Sequence, residues 1–191
     1  MLTQERLYTA KDLADMPDDG KQYELHNGVL IEVAGSKYQQ TRLAIWIAYL
    51  LTRFIMEHKL GGAITGADGT FELNPYNTRI PDVGYLSAAR AAQQDDNRYP
   101  VGAPDLAIEV VSPSNSPREM QERAGEYLAA GALLIWIVNA QTQTVDVYQP
   151  GGQRDVFSLT TDGAVLSGYA VLPGLSLSLN ELFAPFESKA E

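Results

Sequence analysis

Seven consecutive residues, Asp105-Leu106-Ala107-Ile108-Glu109-Val110-Val111, constrain this chain more than any other segment. The run is apolar, short and closed by Ser112-Pro113-Ser114-Asn115, a turn sequence, so it reads as a buried central strand. A charge inside such a strand is costly unless it is paired, hydrogen-bonded or bound to metal. Glu109 therefore needs a partner. Alternation places Asp105, Ala107, Glu109 and Val111 on one face.

The flanking sequence supplies a frame for that strand. After the turn, Ser116-Pro117-Arg118-Glu119 combines an N-cap serine, proline at the first helical position and glutamate at the third. The helix it opens is expected to run to about Ala130, with Gly131 at its end. Residues 133–138 read as a second buried strand, and 144–148 as its hairpin partner. Upstream, Thr9 caps a short helix that stops before Pro17. Residues 22–26 and 29–33, joined by Asn27-Gly28, form an N-terminal β-hairpin. Leu43, Ile47, Leu50 and Phe54, widened by Ala44, Ala48, Leu51 and Ile55, mark a helix over about 36–58. So broad a face suits packing on a sheet from one side and on a second subunit from the other, which predicts a homodimer. Short strands are expected around 63–65, 70–73 and 82–86, a short helix and loop over 88–99, and a small helix near 180–183.

Composition narrows the chemistry. The chain has 191 residues and no cysteine, which excludes disulfides, thiolate zinc sites and cysteine nucleophiles. His26 and His58 are its two histidines, so a metal would be held by carboxylates and carbonyls. That donor set favours Mg²⁺ or Mn²⁺. No run of roughly 18 apolar residues suits a bilayer, and Met1–Arg6 lacks the basic and apolar regions of a secretory signal. A cytoplasmic location is the expectation. With 14 basic and 24 acidic residues the net charge is −10, which counts against nucleic-acid binding except through a local basic patch. Neither a phosphate-cradling glycine loop nor a Gly-x-Ser-x-Gly elbow occurs. One domain over residues 1–191, with its core at about 8–183, is expected.

Asp82 is the natural companion of Glu109. It opens a predicted strand and shares a face with Gly84, as Glu109 does with Ala107, and both small neighbours would leave space for an ion. If the two strands are adjacent, the carboxylates could share one Mg²⁺ with the Val110 carbonyl. A structural ion pair between Glu109 and Arg123 explains the same pattern. Met120, Arg123 and Tyr127 share a helix face, which brings Arg123 toward Glu109 either as a phosphate contact or as a counter-ion. Glu24 alternates with Gln22 and His26; it is a further acidic candidate, although a hairpin carboxylate is ordinarily solvated. His26 reads as a turn residue and His58 as a charge at a helix C-terminus.

Taken in order, Tyr23-Glu24-Leu25-His26-Asn27-Gly28, Pro81-Asp82-Val83, Pro104 through Ser114, Tyr127-Leu128-Ala129-Ala130-Gly131 with Trp136, and Leu172-Pro173-Gly174-Leu175 resemble the Uma-two family of restriction endonuclease-like proteins. The resemblance spans about residues 8–183. It implies an α/β fold with a PD-(D/E)XK restriction-endonuclease-like core, a mixed sheet flanked by helices. It also implies a Mg²⁺- or Mn²⁺-dependent endonuclease acting on DNA, with Asp82 and Glu109 as the acidic pair and Glu24 as a third acid. The family's lysine is matched by Arg123, and Tyr38 stands where many relatives carry histidine. Arginine cannot act as a base, so a weakened nuclease serving as a binding or interaction module is the alternative.

Overall fold

A computed structural model describes residues 6–186; the expectation about a leader at Met1–Arg6 rests largely on residues outside this range. Thr9 opens helix α1 (Ala10–Ala14) through a reciprocal cap, its hydroxyl accepting from the Asp12 amide while Asp12 accepts from the Thr9 amide. Strands β1 (Gln22–His26) and β2 (Val29–Val33) follow as an antiparallel hairpin. Asn27 and Gly28 turn it with φ of 51° and 79°, the left-handed pair that a two-residue hairpin loop demands. Helix α2 (Tyr38–Glu57) comes next, then β3 (Ala63–Thr65), β4 (Phe71–Asn74), β5 (Asn77–Arg79), β6 (Val83–Leu86) and the single-turn α3 (Ala88–Ala91). The second half contains β7 (Leu106–Val110), α4 (Pro117–Ala129), β8 (Leu134–Asn139), β9 (Thr144–Gln149), β10 (Gln153–Ser158), β11 (Val165–Ser167), β12 (Ser176–Ser178) and α5 (Leu179–Phe183).

Six strands form the central mixed sheet, ordered β10-β9-β8-β7-β6-β3. β7 and β8 run parallel, with α4 as the crossover, and the other pairings are antiparallel. The central sheet is thus mixed and flanked by helices. Parallel neighbours need such a crossover because no tight turn can reverse the chain twice. Its start is fixed by Ser116, whose hydroxyl accepts from the Glu119 amide at 3.1 Å.

The sheet separates two cores. Leu43, Ile47, Leu50 and Leu51 of α2 pack on Val83, Leu106, Ile108, Trp136 and Val145, with the C-terminal leucines closing that side. On the other face Met120, Ala124 and Tyr127 of α4 pack on Ala107, Ile135 and Ile137, together with Phe71. All five β7 residues are buried. Among the described residues no helix is long and apolar enough to cross a membrane.

Two local expectations need correction. Strand β5 was not foreseen, because Asn-Thr-Arg carries no apolar alternation; it forms by pairing with β4 and by receiving the Leu25 amide on the Thr78 hydroxyl at 2.8 Å. Asp82 does not lie within a strand but immediately precedes β6.

Candidate functional site

The antiparallel register of β6 and β7 pairs Val83 with Ile108 and Gly84 with Ala107. One step further along, Asp82 therefore stands beside Glu109. Asp82 is fixed there by the Val110 amide, which donates to its Oδ2 at 2.7 Å. Glu109 is 6% exposed. Its Oε1 accepts from the Tyr127 hydroxyl at 2.6 Å and from Arg123 Nη1 at 3.2 Å. Asp82 Oδ1 and Glu109 Oε2 accept nothing from the described residues. Both side chains line a cavity of about 400 Å³ that also reaches Lys37, Gln40, Asn115 and Arg123.

The space is not where small neighbours suggested. A Cβ on Gly84 would lie 2.6 Å from the Thr65 hydroxyl and 3.2 Å from the Phe71 ring. Glycine at this position admits the Phe71 side chain rather than an ion. The room beside the carboxylates is the cavity itself, between α2, the β2 end of the hairpin and the turn after β7.

Glu24 departs from the solvated state expected of a hairpin carboxylate. It is 4% exposed because β1 lies against the segment from Thr78 to Ile80. Its Oε1 accepts from the Ile80 amide at 2.9 Å and from Arg123 Nη1 at 3.0 Å. Its Oε2 accepts from Arg123 Nη2 at 3.2 Å and from Arg79 Nη1 at 3.1 Å. Arg123 thus bridges Glu24 and Glu109. Behind it Arg79, which the sequence did not single out, donates from Nε to Glu126 at 2.7 Å and points Nη2 at His26 Nδ1, 2.9 Å away. His26 is consequently more than a turn residue. His58 does cap its helix, with Nδ1 2.9 Å from the Phe54 carbonyl.

These contacts set the proton affinities. Burial raises the Glu109 carboxyl to about 7, with Arg123 opposing and Asp82 adding to the rise. Burial also raises Asp82, against the Val110 amide and Arg123. For Arg123, burial disfavours the charge, but Glu109 and Glu24 outweigh it and hold the guanidinium protonated. Burial pushes the Tyr127 hydroxyl well up, so it serves Glu109 as a donor. Among the described residues no group of three or more His, Cys, Asp or Glu side chains is arranged to hold a metal. The arrangement is two neighbouring acids with one uncommitted oxygen each, backed by an arginine-bridged third.

This chain is similar to a crystal structure from Anabaena variabilis described as "a putative nuclease belonging to DUF820". The TM-score is 0.76 at 19% identity, over 92% of this chain and 97% of that one. That likeness shows the restriction endonuclease-like fold. No curated protein matches the chain. The model of the Uma2 family, described as "Putative restriction endonuclease", matches residues 10–180. Both the fold and the resemblance expected from the sequence are borne out, and the chain belongs to the Uma2 restriction endonuclease-like family.

Proposed function

We propose that this protein is a divalent-metal-dependent endonuclease that hydrolyses DNA phosphodiester bonds, with Asp82 and Glu109 as its metal carboxylates. One observation carries this: the two acids stand side by side, each with an oxygen free of any donor among the described residues, on one cavity. Such a set fits Mg²⁺ or Mn²⁺, which take one or two carboxylates and complete their shell with water and substrate phosphate. It does not fit an ion requiring a full protein cage. Val110, which lines the same cavity, offers its carbonyl as a third oxygen. When bound, the ion supplies charge neutralisation at phosphorus and an acidified water.

The chain's own residues do the rest. The Val110 amide and the Tyr127 hydroxyl each hold one oxygen of an acid and leave the other uncommitted. Arg123 compensates Glu109 and cannot shed its proton, so it is neither a base nor, while bridged, a free phosphate contact. Glu24 is committed to two arginines and a backbone amide. Its role in the site is to anchor Arg123. The exposed stripe of Ile45, Tyr49 and Met56 on α2 is where we place a second copy, in a cytoplasmic homodimer. Sedimentation at micromolar concentration should give twice the chain mass, and a monomer there would remove the dimer.

Plasmid nicking in Mg²⁺ or Mn²⁺ tests the activity. Wild type should nick, and Glu109→Gln or Asp82→Asn should lose at least roughly 100-fold, since even outer partners of a metal site are worth about 10–100-fold. Equal rates in all three proteins would reject the assignment. The bridging of Glu24 and Glu109 by Arg123 favours a second reading, a weakened site used for binding. It would be preferred if no nicking occurs and no divalent cation shifts the melting temperature.

A further inference from the structure

Resting on the nuclease reading above, we infer that Lys37 and Gln40, at the start of α2, are the residues that grip a backbone phosphate of the nucleic acid across the cavity from Asp82 and Glu109. The cavity is lined by two cationic side chains, Lys37 and Arg123. Arg123 is spent on carboxylates, with contacts of 3.0 and 3.2 Å to Glu24 and 3.2 Å to Glu109. Lys37 is exposed, and its ammonium has no partner among the described residues; its backbone alone bonds, through N–H to Gln40 and through the carbonyl to Thr41. In a chain of net charge −10, an unpaired lysine on a cavity that also carries Glu24, Glu32, Asp82, Glu109 and Glu119 is a locally placed positive charge.

Gln40 adds an independent pointer. It is 6% exposed and lines the same cavity. Its Oε1 accepts the Lys37 amide at 2.8 Å. A backbone N–H must meet an oxygen, so this bond fixes which way round the carboxamide sits. The NH₂ end is thereby turned elsewhere, and no described residue accepts from it. This NH₂ keeps contact with solvent, since the buried side-chain polar atoms without a partner among the described residues are Thr65 Oγ1, Trp136 Nε1 and Gln149 Nε2, so it remains an open donor on the cavity wall. A phosphate oxygen in the cavity would satisfy it. The first turn of α2 carries no acidic residue, so nothing on the helix offsets this donor set. A phosphodiester held between Lys37 and Gln40 on one wall and the acidic pair on the other would meet positive charge from both sides once a metal is bound.

The test is binding, separated from cleavage. Wild type, Lys37→Ala, Lys37→Arg and Gln40→Glu are titrated with a short labelled DNA duplex in Ca²⁺ at several salt concentrations. Gln40→Glu keeps the oxygen that caps α2 and replaces the donor with negative charge. Lys37→Ala should weaken binding by roughly tenfold and lower the slope of log K against log salt by about 1. Gln40→Glu should weaken binding by a similar factor, and Lys37→Arg should hold near wild type. If wild type binds but Lys37→Ala keeps both its affinity and its slope, the inference falls and the nuclease reading stands. If wild type shows no salt-dependent binding, the nuclease reading itself fails and this inference goes with it.

Discussion

The two faces of β7 are buried to the same degree and differ completely in chemistry. Leu106, Ile108 and Val110 point to the α2 side, into a core packed by hydrophobic side chains. Ala107 and Glu109 point to the α4 side, where hydrophobic packing around Phe71 and Ile135 gives way to Glu109, Asp82, Arg123, Glu24 and Arg79. One face is held by non-directional burial. The other holds several charges out of water and stays together because almost every polar atom in it has a partner. A pure core needs only volume and shape, whereas an ionic core needs every member present. Asp82 Oδ1 and Glu109 Oε2 accept from no described residue, and both side chains line the cavity, which is where a ligand would complete the set.

The largest expected effects test this contrast by deletion. Arg79→Met leaves Glu24 and Glu126 without their shared guanidinium, whose side chain is 8% exposed, and should cost about 3–5 kcal/mol. Ile108→Ala opens a cavity on the apolar face and should cost a similar amount, about 2–5 kcal/mol. Similar size hides different origins, which a second change reveals. Glu24→Gln combined with Arg79→Met should recover part of the loss, giving a coupling of about 0.5–3 kcal/mol. Glu24→Gln combined with Ile108→Ala should be additive within about 0.5 kcal/mol. Urea unfolding of these four variants and of Glu24→Gln alone measures this. Equal coupling in both pairs would mean that the faces are not energetically separate.

The same contrast governs how much the sequence discloses. The apolar face follows from periodicity alone, since Leu43, Ile47, Leu50 and Leu51 repeat at helical spacing and alternate strand residues must meet them. Glu109 was legible because a carboxylate in an apolar strand violates that pattern, and Arg123 because Met120 and Tyr127 fix its face of α4. Glu24 could not be distinguished from a solvated hairpin acid. Its burial depends on β5, whose Asn-Thr-Arg sequence carries no strand signal and which supplies both Thr78 and Arg79 to that contact. Gly84 is ambiguous in the sequence because a missing side chain can mean space for a ligand or space for a neighbour, and only the position of Phe71 decides. Gln40 left no periodic trace, since a buried polar residue on an amphipathic helix looks like an ordinary polar position.

The smaller and more selective effect is on pH dependence, and it separates the faces without removing a contact from the apolar one. Burial raises Glu109 from an ordinary value near 4.5 to about 7. The folded protein therefore holds this proton more tightly than the unfolded chain does. Between these two values the native state binds more protons, so its stability falls as pH rises. The contribution is fully present below about 4.5 and lost once the pH passes about 7, an amount of about 3 kcal/mol. Urea unfolding of the metal-free protein in chelator, from pH 5 to 8, should show this decline. Glu109→Gln should flatten most of it, leaving the weaker part that follows from the raised Asp82. Ile108→Ala should lower the whole curve and keep its slope, because nothing that titrates has changed. A Glu109→Gln curve as steep as wild type would show that the proton resides elsewhere in the ionic cluster and that Glu109 is ionised throughout, held by Arg123 despite its burial.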